Sequence, residues 1–238
     1  MINKIQQIFN RSKVFFGQSR QIQRDNLALQ LISDFLPDST NYFPITGFSV
    51  NPHTLACILN DIQINQRKYM IEFGGGISTI SCAKFAKLNN LNFKLFTVES
   101  DSKYLDILEI ALRKENLTDF VKLIYAPLEP TSLALEKTPW YSEKIQDKFS
   151  DTKFDIIFVD GPKAGTKKNS LSRFPALPFL VKEKLLADNY AVFLDDSNRN
   201  GEQIAMKKWQ KDYKLRFINF SDVTSVAFKG KHFNPLVW

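Results

Sequence analysis

Three aspartates and one lysine in the second half of the chain have the types and spacing that chemistry requires. Asp160 follows the mostly apolar run 154–159 and lies three positions before Lys163, and Asp195 and Asp196 follow a second apolar run. If the two runs are neighbouring parallel strands, the three carboxylates meet at one edge of the sheet and repel one another. A bound divalent cation relieves this repulsion, and an oxygen-only ligand set suits Mg²⁺, Mn²⁺ or Ca²⁺ rather than zinc.

The adjacent acids also have a simpler structural explanation. Asp196 or Ser197 could cap the following helix, because Asp and Ser are favoured at helix N-termini. The stretch from Asn200 to Gln203 offers a competing capping pattern. A cap accounts for one acid better than for two in a row.

A second candidate site lies at 69–80, where an apolar run ends in an acid, three glycines follow and a Ser-Thr pair opens a helical pattern. Such a strand, turn and helix N-terminus lets the backbone approach a bound small molecule closely. The next predicted strand also ends in an acid, which suits a bidentate grip on two ribose hydroxyls. Together these features predict a cofactor that carries adenosine. The residues expected around it are Glu72, Gly74, Gly75, Gly76, Ser78, Thr79 and Glu99.

Alternating strand and helix patterns predict the framework that positions these residues. Strands are predicted at 69–73, 93–98, 120–125, 154–159 and 190–195. Helices are predicted at about 53–64, 77–90, 101–116, 171–185 and 200–211. The strands are apolar on both faces, as expected of a parallel sheet that helices cover on both sides.

The end of the chain breaks this alternation. Residues 215–220 and 224–228 both have strand patterns, and only three residues separate them. That gap is too short for a parallel crossover, so the last strand is expected to run antiparallel to its predecessor. The predicted fold is therefore α/β: a doubly wound, Rossmann-like, mostly parallel seven-stranded sheet with an antiparallel C-terminal hairpin, plus N-terminal helices.

Residues 1–51 are predicted to form an N-terminal helical extension and a loop, ahead of a cofactor-binding domain at 52–238. Apolar residues recur at helical spacing through about residue 36, and Gly17 is a predicted break between two helical segments. Basic residues occupy the polar positions, so a membrane-surface helix is conceivable. We expect instead that these helices pack against the main domain or against a second copy of the chain in a homodimer.

Composition is that of an ordinary globular protein, with 44% hydrophobic and 24% charged residues among 238. The formal charge of +7 does not by itself indicate nucleic acid, because acids and bases alternate along most of the chain. Cys57 and Cys82 have no metal-binding spacing and are interpreted as buried reduced thiols. The sequence shows no signal peptide and no transmembrane segment, and we therefore expect a cytoplasmic enzyme.

The turn Glu72-x-Gly74-x-Gly76, the acid Glu99 and the terminal hairpin together resemble the class I S-adenosylmethionine (SAM)-dependent methyltransferases over about residues 52–230. The resemblance implies that the glycine turn packs under the methionine part of SAM. It also implies that the acid after the second strand holds the ribose. The antiparallel hairpin is typical of methyltransferases and not of dehydrogenases.

The same resemblance assigns a role to the start of the helix after the turn. Ser78 and Thr79 would offer hydroxyls and backbone amides to the methionine carboxylate, which a helix N-terminus attracts. Family members often carry a polar residue near the adenine after the third strand, but this chain has Ala126-Pro127-Leu128 there. The adenine contacts are therefore unassigned.

Asp160-x-x-Lys163 and the pair Asp195-Asp196 resemble, more narrowly, the cation-dependent O-methyltransferases, which include enzymes that act on catechols and on antibiotic sugars. The resemblance implies that the three aspartates hold a divalent cation, Mg²⁺ by preference, and that Lys163 takes a proton from the substrate hydroxyl. A cation on that oxygen stabilises the alkoxide as it forms. Asp196 stands where the family often has Asn, which looks more like the sugar-modifying members.

Three features concern the methyl acceptor. The loop 163–173 carries four positive charges, which favour an anionic acceptor such as a nucleotide sugar or an acidic glycan, although a solvated loop explains them equally well. His53 could reach the opening where the methyl acceptor is expected to bind, or it could be a surface or capping histidine. Trp140 lies in the long connection 127–152 and is the aromatic residue expected to form a lid or a sugar-stacking face.

Two other function classes stay open at this point. An RNA methyltransferase would suit the basic charge, but the chain lacks an Asn-Pro-Pro-Tyr-type motif and a basic stripe interleaved with aromatic residues. A non-catalytic adenosine-binding or assembly protein would keep the fold while its three aspartates point apart. The leading prediction is a metal-assisted, SAM-dependent O-methyltransferase that acts on a small or glycan-like substrate, with no nucleic-acid partner.

Overall fold

A computed structural model describes residues 19–149 and 152–237 and centres on one seven-stranded sheet. The strands are β1 (Tyr69–Phe73), β2 (Lys94–Glu99), β3 (Val121–Tyr125), β4 (Leu128–Glu129), β5 (Trp140–Tyr141), β6 (Phe154–Val159), β7 (Leu186–Leu194), β8 (Phe217–Asn219) and β9 (Ser225–Lys229). The order in the large sheet is β3-β2-β1-β6-β7-β9-β8, and β4 pairs with β5 separately. β9 runs antiparallel to both β7 and β8, whereas the other pairings in this sheet are parallel. The predicted fold class is confirmed.

Helices lie against both faces of this sheet. They are α1 (helical at 19–32), α2 (Pro52–Ile64), α3 (Ile77–Leu88), α4 (Ser102–Lys114), α5 (Ala176–Lys182) and α6 (Asn200–Tyr213). Met70 and Ile156 belong to one buried hydrophobic cluster, and their neighbours Ile71 and Ile157 belong to a second. Successive side chains of a strand point to opposite faces, so the two clusters fill the two sides of the sheet.

The main difference from the predicted elements lies between β6 and β7. The helix predicted at 171–185 is only the short α5, and turns occupy 171–175. α5 begins after Pro175, whose fixed φ suits the first turn of a helix. It ends before Lys184, which has a left-handed backbone with φ 55°. The chain therefore keeps an irregular segment next to the carboxyl ends of the central strands.

The described part of α1 packs against its own chain. Ala28 and Ile32 are 1% and 3% exposed in the hydrophobic core, and the Asp25 carboxylate accepts a hydrogen bond from the backbone N–H of His53 at 3.2 Å. Packing of this helix on the main domain is confirmed, and a homodimer stays a prediction. Residues 1–18, with the predicted break at Gly17, lie outside the described residues. Within the described residues, every helix is too short or too polar to span a bilayer.

Candidate active site

A cavity of about 590 Å³ opens at the carboxyl edge of the sheet, where β1 and β6 are neighbours. From this point the chain winds outward through β2 and β3 on one side and through β7 on the other. Doubly wound sheets bind ligands at such a reversal. The predicted site residues on the cavity wall are Gly74, Gly75, Glu99, Asp160, Lys163, Asp195 and Asp196.

The glycine turn, Gly74 to Gly76, runs close to neighbouring groups. Gly74 has φ +92°, and a Cβ there would lie 2.9 Å from the backbone nitrogen of Gly161. A Cβ on Gly75 would lie 2.7 Å from Cγ2 of Thr97. Only glycine fits these two positions without displacing its surroundings. The turn thus leaves backbone, rather than side chains, facing the cavity.

Glu72 is fully buried behind this turn. Its carboxylate accepts hydrogen bonds from the hydroxyls of Ser78, Thr79 (2.5 Å) and Thr97 (3.1 Å). Burial raises the pKa of Glu72 to about 7, although the three hydroxyls oppose the rise. The expectation that the Ser78 and Thr79 hydroxyls face a cofactor carboxylate is therefore wrong, because both donate to Glu72. Glu72 orders the turn and does not line the cavity.

Glu99 occupies the position expected of a ribose-binding acid. Its Oε1 accepts hydrogen bonds from the backbone N–H groups of Ser100 (2.5 Å) and Asp101 (3.0 Å), and the side chain lies on the cavity wall. These amides hold the carboxylate at the end of β2. The second oxygen has no hydrogen bond from the described residues, and a ligand can therefore use it.

Asp160, Asp195 and Asp196 form what we term the carboxylate cluster. One oxygen from each lies within 4.8 Å of the other two. Burial, followed by the charge of Asp195, raises the pKa of Asp160 well above its usual range, and burial also raises the pKa of Asp195. Asp196 has a left-handed backbone with φ 52°, a conformation that this residue type tolerates. The predicted convergence of the three carboxylates is present.

A buried guanidinium, which the sequence analysis counted only among the charges of the loop 163–173, lies inside this cluster. Arg173 is 5% exposed, and its side chain contacts Asp160 at 3.2 Å and Asp196 at 3.1 Å. It also donates to the carbonyl of Asp195 at 3.1 Å, and Arg199 contacts Asp196 at 2.7 Å. The sequence predicted that a bound cation relieves the repulsion among the carboxylates, and in the structure arginines compensate part of that charge.

The cluster nevertheless keeps oxygens for a cation. Among the described residues, Oδ1 of Asp160 and Oδ2 of Asp196 are the oxygens closest to an arginine, and Oδ1 of Asp195 accepts from the hydroxyl of Thr224 at 2.7 Å. The other oxygen of each carboxylate accepts no hydrogen bond from a side chain of the described residues. Three such carboxylate oxygens suit a hard divalent cation, so these residues fit the metal that the sequence predicted.

Lys163 lies on the cavity wall beside the cluster. Its side chain is exposed, and its Nζ lies 5.4 Å from the centre of the Phe48 ring. Of the other cations predicted at this mouth, Arg173 is buried in the cluster and Lys167 and Lys168 are exposed away from the wall. The local positive charge is therefore smaller than expected.

Comparison with known proteins bears on the fold. No protein-family model and no curated protein matches the chain. Among solved structures, it is similar to an O-methyltransferase of Streptomyces achromogenes involved in tomaymycin synthesis, in complex with SAM (15% identity, 89% of this chain and 99% of that one, TM-score 0.58). It is also similar to an O-methyltransferase of Bacillus cereus in complex with SAH (18% identity, 88% of this chain and 91% of that one, TM-score 0.54). A third similar structure is an SAH-bound methyltransferase of Podospora anserina (15% identity, 87% of this chain and 88% of that one, TM-score 0.55).

The chain has the methyltransferase fold. At 15–18% identity the likeness concerns the fold, and the roles of individual residues rest on the geometry described above.

Two residues predicted to contact the acceptor lie elsewhere in this methyltransferase fold. His53 is 0% exposed, and its Nε2 lies 3.0 Å from the carbonyl oxygen of Val237. It is a core histidine because α1 and the C-terminal segment cover the start of α2. Trp140 is also 0% exposed and packs between Phe73 and Phe179, with ring centres 5.4 and 5.1 Å away. Neither side chain lines the cavity, so both predictions are wrong.

Other residues take those places on the wall. Tyr141, next to Trp140, lines the cavity, as do Tyr104, Phe48 and Arg199. Burial, with the charges of nearby acids, raises the pKa of Tyr104 to about 12, so its hydroxyl stays neutral. Phe48 lies in the loop before α2, which the sequence reasoning separated from the site. For Arg173 the sequence held one usable signal: it is the single arginine in a lysine-rich loop, and Phe174 and Pro175 follow it.

Proposed function

We propose that the chain is a SAM-dependent O-methyltransferase that methylates a hydroxyl of a small or glycan-like acceptor with the help of a divalent cation. One observation carries the proposal: a single cavity is lined by Gly74, Gly75 and Glu99 and also by the carboxylate cluster and Lys163. Its volume of about 590 Å³ lies within the usual range of ligand sites. The methyltransferase fold of the solved structures supports the choice of cofactor.

The cofactor end of the cavity has the groups that SAM requires. The free oxygen of Glu99 can accept from ribose hydroxyls, and the backbone of Gly74 and Gly75 forms the floor beside it. A second cavity of about 280 Å³ adjoins the first at the start of α3, where Gly76 and Ser78 line it. The positive end of that helix suits the carboxylate of the methionine part.

At the reacting end, Asp160, Asp195 and Asp196 would hold the cation. When bound there, the cation supplies positive charge that stabilises an alkoxide on the acceptor oxygen. Lys163 would accept the proton of the acceptor hydroxyl, and the acceptor oxygen would receive the methyl group that SAM supplies. The products are a methyl ether and S-adenosylhomocysteine, and the site acts mainly by orienting the reactants.

The acceptor side of the wall supports an anionic substrate. Lys163 and Arg199 both line it, and the exposed ring of Phe48 offers a flat apolar surface beside them. A lysine and an aromatic ring suit a hydroxylated ring that carries a carboxylate or phosphate, whereas the charge of Arg199 is already paired with Asp196 at 2.7 Å. A non-catalytic protein would have its three aspartates pointing apart, and the convergence of the cluster favours an enzyme instead.

Calorimetric titration with SAM, and separately with NAD, tests the cofactor. We expect SAM to bind and Glu99→Gln to weaken that binding by about 10- to 100-fold, because hydrogen bonds to a charged group contribute about 1.5–3 kcal/mol each. Glu136→Gln, an exposed carboxylate away from the cavity, is the matched control. A folded wild-type protein that binds NAD and not SAM would contradict the proposal.

Transfer of a radiolabelled methyl group to catechols, hydroxylated sugars and nucleotide sugars tests the reaction. In the wild-type protein we expect EDTA to abolish methyl transfer and added Mg²⁺ to restore it. Asp195→Asn should show no transfer either with EDTA or with Mg²⁺. Lys163→Met should lower the rate by about 10²–10⁴-fold, the usual contribution of a general base, whereas Lys167→Met in the same loop should not. Full activity of Asp195→Asn in EDTA would refute the cation.

A further inference from the structure

Glu202 is a buried carboxylate that no part of the proposed reaction uses. It lies in the first turn of α6, is 1% exposed, and neither of its oxygens has a hydrogen-bond partner among the described residues. Burial raises its pKa, and the nearby charge of Arg173 opposes the rise. A buried carboxylate without a hydrogen bond costs stability, and a positively charged partner that moved within hydrogen-bond distance would recover part of that cost.

Arg173 is positioned to be that partner. Its Nε lies 3.9 Å from Oε1 of Glu202, beyond hydrogen-bond distance, and instead donates a long 3.4 Å bond to the carbonyl of Pro162. Its two Nη atoms meanwhile contact Asp160 and Asp196. The guanidinium thus has the carboxylate cluster on one side and an unused acid on the other.

We propose that Arg173 exchanges partners when a divalent cation binds: its guanidinium moves away from Asp160 and Asp196 and pairs with Glu202. The exchange rests on the cation site of the proposed function. A cation among the three aspartates repels the guanidinium that touches two of them, and this repulsion is strong in a buried setting. The guanidinium of Arg173 then forms an ion pair with the carboxylate of Glu202. Arg173 is a positioning residue in this account: it holds the cluster together without the cation, and Glu202 determines how readily it yields.

A double-mutant cycle on Mn²⁺ affinity, read by electron paramagnetic resonance of free Mn²⁺ on the full chain, tests the exchange. Glu202→Gln keeps the shape of the side chain and removes the second partner, so we expect Mn²⁺ to bind about tenfold more weakly, as for other groups behind a metal site. Arg173→Met removes the competing charge and should bind Mn²⁺ at least as tightly as wild type. In that background, Glu202→Gln should change the affinity less than about threefold.

The alternative is that Glu202 acts on the cation only through its charge. It predicts the same loss from Glu202→Gln with and without Arg173, and that additive result would overturn the exchange. A wild-type protein that binds no Mn²⁺ would overturn both the exchange and the cation site of the proposed function. Because SAM binding is measured separately, that outcome leaves the cofactor assignment standing.

A nuclear magnetic resonance measurement reports the movement itself and does not depend on Arg173→Met folding. The Nε–H resonance of Arg173, assigned by its loss in Arg173→Lys, should shift when Mg²⁺ is added to wild type and should shift less in Glu202→Gln at the same occupancy of the cation site. The resonance of Arg67, a buried guanidinium paired with Asp61 at 2.8 Å, is the internal control and should not move. A wild-type protein that binds Mn²⁺ without any shift at Arg173 would refute the exchange.

Discussion

Replacing Glu72 with glutamine should remove a pH-dependent part of the free energy of unfolding. The carboxyl group is 0% exposed behind the glycine turn, where burial raises its pKa from an ordinary 4.5 to about 7. Between these two pH values the unfolded chain releases the proton while the folded chain keeps it. The folded state therefore binds more protons, and its stability falls as the pH rises through this window.

The size of the effect follows from the two pKa values of Glu72. Each pH unit between 4.5 and about 7 corresponds to about 1.4 kcal/mol. The stabilisation that Glu72 supplies at acid pH, and loses by pH 8, is thus about 3 kcal/mol. Glutamine cannot titrate, so the wild-type stability minus that of Glu72→Gln should fall by this amount between pH 4.5 and pH 7 and stay level above it.

Urea unfolding of both proteins across pH 4.5–8 measures this difference, and groups common to both proteins cancel. Thr97→Val is a graded variant: it removes one hydroxyl that favours the charged form of Glu72, so the upper end of the window should move to higher pH. Infrared spectroscopy at pH 5.5 should show a protonated buried carboxyl band that Glu72→Gln lacks. A difference in stability that stays flat with pH, with no such band, would refute the reasoning.

Three further changes test the architecture around the site. Gly74→Ala places a Cβ 2.9 Å from a backbone nitrogen at φ +92°, and it should lower the free energy of unfolding, measured in urea, by about 2–3 kcal/mol. Gly76→Ala is the control: its Cβ meets nothing nearer than 3.6 Å and should lower the free energy of unfolding by under about 1 kcal/mol. Trp209→Phe should be about 2 kcal/mol more destabilising than Trp140→Phe in the same assay. Both indoles are 0% exposed, but among the described residues only Trp209 donates its N–H, to the carbonyl of Phe174 at 3.1 Å. Thr224→Val removes the hydroxyl that fixes Asp195 and should weaken Mn²⁺ binding about 10-fold by paramagnetic resonance, with the urea midpoint as the control for folding.

Patterns that span many residues predicted the framework well. The strand at 154–159 is observed with the predicted bounds, because a parallel strand covered on both faces is apolar along its whole length. The short gap predicted before the last strand, three residues in the sequence pattern and five (220–224) in the structure, was sufficient to predict the antiparallel direction of β9, since such a short connection cannot join parallel strands. Local patterns of this kind depend little on the rest of the molecule.

Contacts between distant segments could not be predicted in the same way. Trp140 and His53 were chosen for their chemistry, yet burial depends on which elements cover them, and the sequence does not state that α1 and the C-terminal segment cover α2. Ser78 and Thr79 had suitable hydroxyls, but Glu72, only six and seven positions earlier, competes for them. Residue type predicts what a side chain can do, and the packing determines which partner it has.

The balance of charge around the carboxylate cluster gives the strongest reason to expect a cation. The three aspartates and Glu202 face Arg173 and Arg199, and two guanidinium groups neutralise only two of the four carboxylates. Burial makes the remaining negative charge costly, which raises the pKa values of Asp160, Asp195 and Glu202, and one divalent cation could balance this charge in place of protons. Arginine suits this arrangement better than lysine, because its planar fork can bridge two carboxylates from β6 and β7 and still offer Nε to a third acid on α6. A lysine at 173 would hold the same charge but could not keep the ends of two strands and a helix at fixed separations while a cation enters.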